Sequence, residues 1–539
     1  MKVEGVQNGN SIYYFFLDDF ELYENSSDYP RWMTGLGSQR PCEIIVDGDD
    51  NVYFAGYANH EITYPNGFVQ GLPNTVTGFI ASYDPCGNMR WANNSNTPSE
   101  IYTAVSFDDI ANRLLVASQT ISGTEIQTYD PTSGSLLTTI PVPGSIFADE
   151  IVTSKTDANR QNWYILYREN GTGFYYFVRY NIMTNTIIGP DLVPGIQNIT
   201  DFSINSLLTG NVNRIFLNTN SNSTCNIIDY TIFPPNSIAS FSFIPANGNQ
   251  TEDIKFTTID QNNTGMLCIG GYYSNCDLTF NSNVIVPNVP QGTAGLWSNA
   301  FAFLFNPSTA SFISGSGRYI GGNGDSRTTK IIATPNGDFI AAGLVNTSNV
   351  NVPTNTNFSS GWTPNPNSRG LFITKLDGST GTDRWLKQGT STLIGTWQKD
   401  LVCGNNGVIY GLGYLNGTIN FLQGDTWTST SQCDNTYVLK IQETGNNAAI
   451  ERISSYVKQV PWITSAPTIG YRLTGAAEFI QLLEDQKYIS VNILDFSGRI
   501  ICSFKSNAAL ETYWHKLVPG CYIIDITSSN NHTSFYICK

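Results

Sequence analysis

Short runs of alternating apolar and polar residues, rich in Val, Ile, Tyr, Phe and Thr and bounded by Gly, Asn, Asp and Pro, recur from end to end of the chain. Helical periodicity is almost absent. Such runs predict half-buried strands joined by turns, so the chain reads as all-β. The runs fall into two interleaved sets. One is a turn leading into an apolar strand, as in Asn51-Val52-Tyr53-Phe54-Ala55-Gly56, Gly265-Met266-Leu267-Cys268-Ile269-Gly270 and Asn336-Gly337-Asp338-Phe339-Ile340-Ala341-Ala342-Gly343. The other ends in an aromatic or aliphatic residue and a turn, as in Phe79-Ile80-Ala81-Ser82-Tyr83-Asp84-Pro85 and Phe372-Ile373-Thr374-Lys375-Leu376-Asp377.

Each set has seven copies, closing at Tyr83, Tyr129, Tyr180, Tyr230, Phe305, Leu376 and Ile441. Intervals of this size, with two clear strands and room for two more, predict a seven-bladed β-propeller of four-stranded blades. The Gly that follows the apolar strand suits a close approach of backbones. Asp-Pro with a nearby Gly suits the turn into an outer strand, where Trp91 and Trp385 are expected to pack between blades. Two segments compete to complete the last blade: the strand around Trp32, and Ile450 to Val457. Long insertions at 274–298, 344–369 and 414–435 are expected to present loops on one face.

The copies Val52 to Ala92, Gly337 to Trp385 and Gly407 to Ile441 resemble the bacterial β-propeller repeat (SBBP-like repeats), a resemblance that covers about 40–455 and implies a propeller rather than a reaction. After about residue 460 the pattern changes. Strands around Tyr488 to Ile501, Leu517 to Ile526 and Ser534 to Lys539, with turns at Ser497-Gly498 and Pro519-Gly520, predict a small Ig-like β-sandwich. Asp495, Gly498, Arg499, Leu517, Gly520, Tyr522 and Lys539 stand where the C-terminal type IX secretion (Por) sorting domain of Bacteroidetes has its motif. The segment resembles that domain, which implies that the outer-membrane export machinery reads it. Ser11 to Tyr23 resembles the last strand of a jelly-roll carbohydrate-binding domain. The expected division is therefore an N-terminal strand at 1–29, a propeller at 30–460 and a sorting-like sandwich at 470–539.

Composition narrows the function. Of 539 residues only 13% are charged, and the net charge is −15, the wrong sign for a phosphate-binding surface, so nucleic acid is excluded as a partner. No run approaches the ~18 apolar residues of a membrane helix. Ten cysteines without a C-x-x-C pair and three histidines give no ordinary zinc spacing, and no cofactor is expected. Isolated buried thiols are the favoured reading, although Cys268 with Cys276 could bridge. Asp47, Asp49 and Asn51 have the oxygens of a calcium loop but sit where other repeats have a hairpin turn, so turn is weighted over metal. No G-x-S-x-G is present, and adjacent acids such as Asp108-Asp109 point to opposite faces of a strand. Trp362, Trp397 and Trp427, expected in long loops, are candidates for sugar stacking or partner contact.

The expectation is a non-enzymatic, secreted or cell-surface binding or adhesion protein whose long loops take a glycan or protein ligand, on the outside of a bacterium. The alternatives are a phage or virion appendage protein and a polysaccharide lyase or glycoside hydrolase built on the same scaffold.

Overall fold

Among the described residues, seven antiparallel sheets follow one another in the computed structural model of the protein, each with four strands ordered inner to outer. In blades one, five, six and seven insertions separate the second strand from the third, and the outer strand of the seventh comes from outside its run. The described residues run, with interruptions, from 39 to 451; elsewhere they comprise short strands at 7–8, 11–12 and 31–34 and the strands within 488–538. The inner strands are Gln39–Val46, Ile101–Asp108, Glu150–Thr156, Ile199–Asn205, Asp253–Gln261, Arg327–Ala333 and Trp397–Cys403. Each contacts the next, and the seventh contacts the first. The ring is closed, and the fold is a β-propeller.

One buried apolar cluster lies at each junction between successive blades, which is how sheets that are apolar on both faces find cover. Tyr53, Val105 and Leu114 join blades one and two; Phe54, Tyr410 and Val438 join blades seven and one. Trp91 on the outer strand of blade one donates its indole N–H to the carbonyl of Pro131 in blade two at 2.8 Å, and Trp385 packs with Leu401 and Ile409 of blade seven. Both tryptophans are inter-blade packing, as their place in the repeat predicts.

The turns into the outer strands show why the repeat begins them with Asp or Asn. Asp130 accepts the N–H groups of Thr132 and Ser133, and Asp377 those of Ser379 and Thr380. In each, the chain then passes through a left-handed residue, Gly134 or Gly381. Those hydrogen bonds favour the ionised Asp377, which is held well below the usual carboxylate range, the Ser379 hydroxyl contributing most.

Both candidates for the last blade reach its third strand, the second through Ile450 and Glu451 at the end of Asn447–Glu451, its residues 452–457 lying outside the described residues. Arg31–Thr34 pairs with residues 436–439 of the third strand, and Asn447–Glu451 pairs with residues 440–444 of the same strand. The two segments divide one strand edge end to end, so the competition between them has no single winner.

Every inner strand carries a β-bulge at the same place. The extra residues are Cys42, Thr103, Val152, Thr200, Thr257, Thr329 and Lys399, each skipped in the pairing with the second strand. The repeated glycine sits opposite this bulge in four blades: Gly56 pairs with Pro41, Gly271 with Phe256, Gly343 with Thr328 and Gly413 with Gln398. A Cβ on Gly271 would lie 1.9 Å from the carbonyl oxygen of Lys255, and one on Gly343 2.0 Å from that of Arg327. The backbone that excludes a side chain is thus the bulged strand of the same blade.

The long insertions also differ from free loops. The hairpin Cys276–Phe280 and Asn283–Val286 in blade five adds to the outer strand of blade four, through residues 242–245. Asn355–Thr356 in blade six adds to the outer strand of blade five. Thr418–Phe421 and Asp425–Thr428 in blade seven add to the outer strand of blade six. Each insertion satisfies the unpaired N–H and C=O groups of the preceding blade's edge.

By contacts the chain divides into Leu22–Ser455, the propeller, and a second unit of Met1–Glu21 with Tyr456–Lys539. In the second unit, Gln7–Asn8 pairs with Ser11–Ile12, and one four-stranded antiparallel sheet has the order 500–504, 488–494, 521–528, 532–538. Strands are present where they are expected; the turns expected at Ser497-Gly498 and Pro519-Gly520 lie outside the described residues, and one four-stranded layer of the expected sandwich is described.

Gly343→Ala is expected to destabilise the propeller by about 1–3 kcal/mol, because either the bulge or the second strand must move to admit the methyl group. Urea unfolding followed by tryptophan fluorescence measures this, and an unchanged midpoint would contradict the close approach.

Candidate functional site

The bulged stretches of the inner strands line a cavity of about 730 Å³ on the propeller axis, to which all seven blades contribute. The bulge aims two successive side chains at the next blade. Thr200, Thr257 and Thr329 occupy the bulge itself and donate to the carbonyls of Phe256, Thr328 and Gln398, so that blades four to seven are tied in series. The residue after the bulge accepts a backbone N–H of the next blade: Glu43 from Val105 at 2.9 Å, Asp201 from Ile259 at 2.9 Å, Thr258 from Ile331 at 3.0 Å and Asp400 from Ile44 at 3.0 Å. Carboxyl groups are well suited to this, since each offers two oxygens as acceptor positions.

Two lysines balance these acids. Lys330 lies 2.7 Å from Asp400; burial opposes its charge, but Asp400, Asp201 and Glu43 together outweigh that and hold the ammonium well above the usual lysine range. Lys155 reaches from blade three to the carbonyl of Ile259 at 2.7 Å and to Asp260 at 3.1 Å. The Ser154 hydroxyl donates to Glu43 at 2.8 Å and accepts the indole N–H of Trp163. Burial, with the nearby Asp400, pushes Glu43 up to about 8, and burial pushes the Cys42 thiol up to about 11, away from thiolate reactivity.

At the mouth of the cavity the inner and second strands form a rung on each blade. On blades one, five, six and seven the rungs are Arg40 with Tyr57, Lys255 with Tyr272, Arg327 with Leu344 and Trp397 with Tyr414. On blades two and three they are Ile101 with Gln119 and Glu150 with Arg168. The Arg327 guanidinium lies 4.5 Å from the centroid of Tyr272, and the Lys255 ammonium 5.8 Å from it. Tyr57, Tyr272 and Tyr414 all line the cavity. The insertions follow the second strands, which end at this same mouth.

The sequence candidates fare unevenly. Trp397 is the first residue of the inner strand of blade seven, at the mouth rung, and not in a loop. Trp427 is in the edge strand Asp425–Thr428, paired with Ile419, because its insertion is spent on covering blade six. Trp362 lies outside the described residues, as do Asp495, Gly498, Arg499, Leu517, Gly520 and Lys539; Tyr522 is in the strand Cys521–Ser528, paired with Ile537. Asp47, Asp49 and Asn51 form one hairpin turn, in which Asp47 accepts from the N–H groups of Asp49 and Asn51, the Asn51 side chain and the Tyr53 hydroxyl. Those four donors fill the acceptor sites of one carboxylate. Cys268 and Cys276 are buried thiols and not bridged.

The belt of side chains along the axis is absent from the expectations above, because the two recognised strand sets are the second and third strands of each blade. Its signal is a pair of polar residues before an aliphatic one, as in Thr257-Thr258-Ile259, Thr329-Lys330-Ile331 and Lys399-Asp400-Leu401.

No family model matches the sequence, and no curated protein matches it. Solved structures that align are propellers. The β-propeller domain of the Trilobed protease from Pyrococcus furiosus, with an open velcro topology, aligns over 73% of this chain and 99% of its own, at 9% identity and a TM-score of 0.36. Oligogalacturonate lyase in complex with manganese aligns over 75% of this chain and 97% of its own, at 7% identity and a TM-score of 0.37. The extracellular domain of a putative one-component system of B. thetaiotaomicron covers 95% of this chain and 99% of its own, at 10% identity and a TM-score of 0.20. Identities of this size speak to fold alone.

The raised Glu43 carboxyl predicts a pH dependence. Folded, it keeps its proton up to about 8, whereas unfolded it loses it near 4.5, so stability falls as pH rises through that window. Glu43→Gln keeps an acceptor for Val105 and cannot ionise, so its stability is expected to change less with pH over the same range. Thermal unfolding of both proteins at several pH values measures this; parallel curves would rule the effect out.

Proposed function

We propose that this is a non-catalytic binding protein of the bacterial surface or exterior, which takes its ligand at the insertion-bearing mouth of the propeller. The observation that carries this reading is that the insertions of blades five, six and seven leave their second strands at the end where the axial cavity opens. A fourth, in blade one, contributes the hairpin Ile62–Thr63 and Val69–Gln70. Part of each of the first three insertions braces a neighbouring blade. Cavities of this volume suit small ligands or the end of a larger one.

Support for a non-catalytic role comes from the carboxylates. Glu43, Asp201 and Asp400 are each committed to a backbone N–H of the next blade, and Lys330 to Asp400, which ties the obvious acid and base candidates into the framework. The exterior location rests on the resemblance of residues 470–539 to a type IX sorting domain, and the surface role on that of the blades to bacterial propeller repeats.

Two experiments test the reading. A glycan and surface-protein binding screen of the full chain should yield a ligand whose binding is lost when residues 347–368 are replaced by a short Gly-Ser turn. Retained binding would place the site elsewhere, and turnover of the ligand would make the protein an enzyme. Deleting 470–539 in a host with type IX secretion should leave the propeller inside the cell envelope; normal export would sink the sorting assignment.

A further inference from the structure

We infer that the mouth recognises an acidic saccharide, its anionic group held by Lys399, Arg327 and Lys255 and its sugar rings laid against Tyr272, Tyr414 and Tyr57. This deepens the binding reading above and rests on it. The first observation is a break in the hydroxyl series along the axis. Thr200, Thr257 and Thr329 each tie their bulge to the next blade, but the next bulge in that series has Lys399. An inter-blade hydrogen bond is replaced there by an exposed ammonium that lines the cavity. Departures from a local rule that serves stability are expected where a chain serves function instead.

The second observation is how unevenly charge and aromatic rings are distributed. Blades five, six, seven and one, the four with insertions, supply Lys255 and Tyr272, Arg327, Lys399 and Tyr414, and Tyr57 respectively. Arg40 and Trp397 belong to the same rungs. Blades two and three present Ile101 and Ile151 to this cavity, and Arg168, at the rung of blade three, lines a separate pocket. The insertions therefore leave the blades whose charged and aromatic rim residues line the axial cavity.

The third observation is the chemistry of that half. Lys255 and Arg327, from adjacent blades, both approach the ring of Tyr272, with the carboxylate of Asp325 3.8 Å from Arg327. Grouped cations at the rim, in a protein of net charge −15, make a local positive potential that a low-dielectric concavity focuses. A planar guanidinium suits a carboxylate or sulfate in two-point contact. Tyrosine faces suit the apolar faces of sugar rings, and Gln119, whose buried Nε2 has no hydrogen-bond partner among the described residues, lines the same cavity as a donor for a hydroxyl or carboxylate oxygen.

Calorimetric titration of the full chain with a mannuronate tetrasaccharide, a sulfated galactan tetrasaccharide and neutral mannotetraose tests this. At least one acidic tetrasaccharide is expected to bind ten-fold or more tightly than the neutral one, with affinity falling as salt is raised; which acidic arm binds identifies carboxylate or sulfate as the group held. Lys399→Gln combined with Arg327→Gln should weaken that binding at least ten-fold, while thermal unfolding confirms that the variant is folded. Equal affinity for mannotetraose overturns the charge assignment and leaves the mouth reading standing. Absence of binding by either acidic sugar at millimolar concentration overturns the inference, and a ligand from the screen that ignores the loss of residues 347–368 overturns both.

Discussion

The propeller depends on one repeated backbone irregularity, the bulge in each inner strand. A regular strand would alternate its side chains between the two faces of its blade and leave the axis lined by backbone. The extra residue bends the strand and re-aims two consecutive side chains toward the neighbouring blade. From that follow the threonine series from blade four to blade seven, the acceptor series of Glu43, Asp201, Thr258 and Asp400, and the glycines that make room for the displaced carbonyls. Apolar packing between blades is non-directional and would tolerate small rotations. Hydrogen bonds of fixed partner at the axis remove that freedom.

Closing the ring leaves seven outer edges, and the chain treats them in two ways. Blades four, five and six are covered by strands donated from the following blade's insertion, which lock adjacent blades together. Blades two and three keep bare outer strands that expose Leu136, Leu137, Ile188 and Leu192. Pro141 and Pro190 stand in those strands, where a missing N–H blunts the edge against pairing with another chain. A segment that covers an edge cannot also be a free binding loop, which is why Trp427 is part of a sheet.

The sequence discloses the parts of the fold that are locally encoded. Asx turns, apolar second and third strands and the inter-blade tryptophans each follow from a few adjacent residues, and the seven-fold count follows from their recurrence. The inner strands were harder to read, because half of each is polar: Thr200-Asp201 and Thr257-Thr258 look like loop until neighbouring blades supply their partners. The candidate site was legible only at Trp397, and for the wrong reason, since its value lies in its register opposite Tyr414 and not in a loop. Tyr57, Tyr272 and Tyr414 stand one residue beyond the repeat glycine in three blades, a pattern visible in the sequence but meaningful only once the bulge places that position at the mouth.

The repeat glycine also divides the ring. Blades one, five, six and seven have it and carry the insertions; blades two, three and four pair the same point through Ser118, Tyr167 and Thr219 and carry no insertion after the second strand. A glycine opposite the bulge lets the second strand lie close against the displaced carbonyl, as at Gly271 and Gly343. The residue after it is then carried past the bulge to the rim, as Tyr272 is. One small residue thereby sets how closely a blade's second strand lies against its own bulge, and in three of the four blades that have it the next residue is a tyrosine that lines the axial cavity.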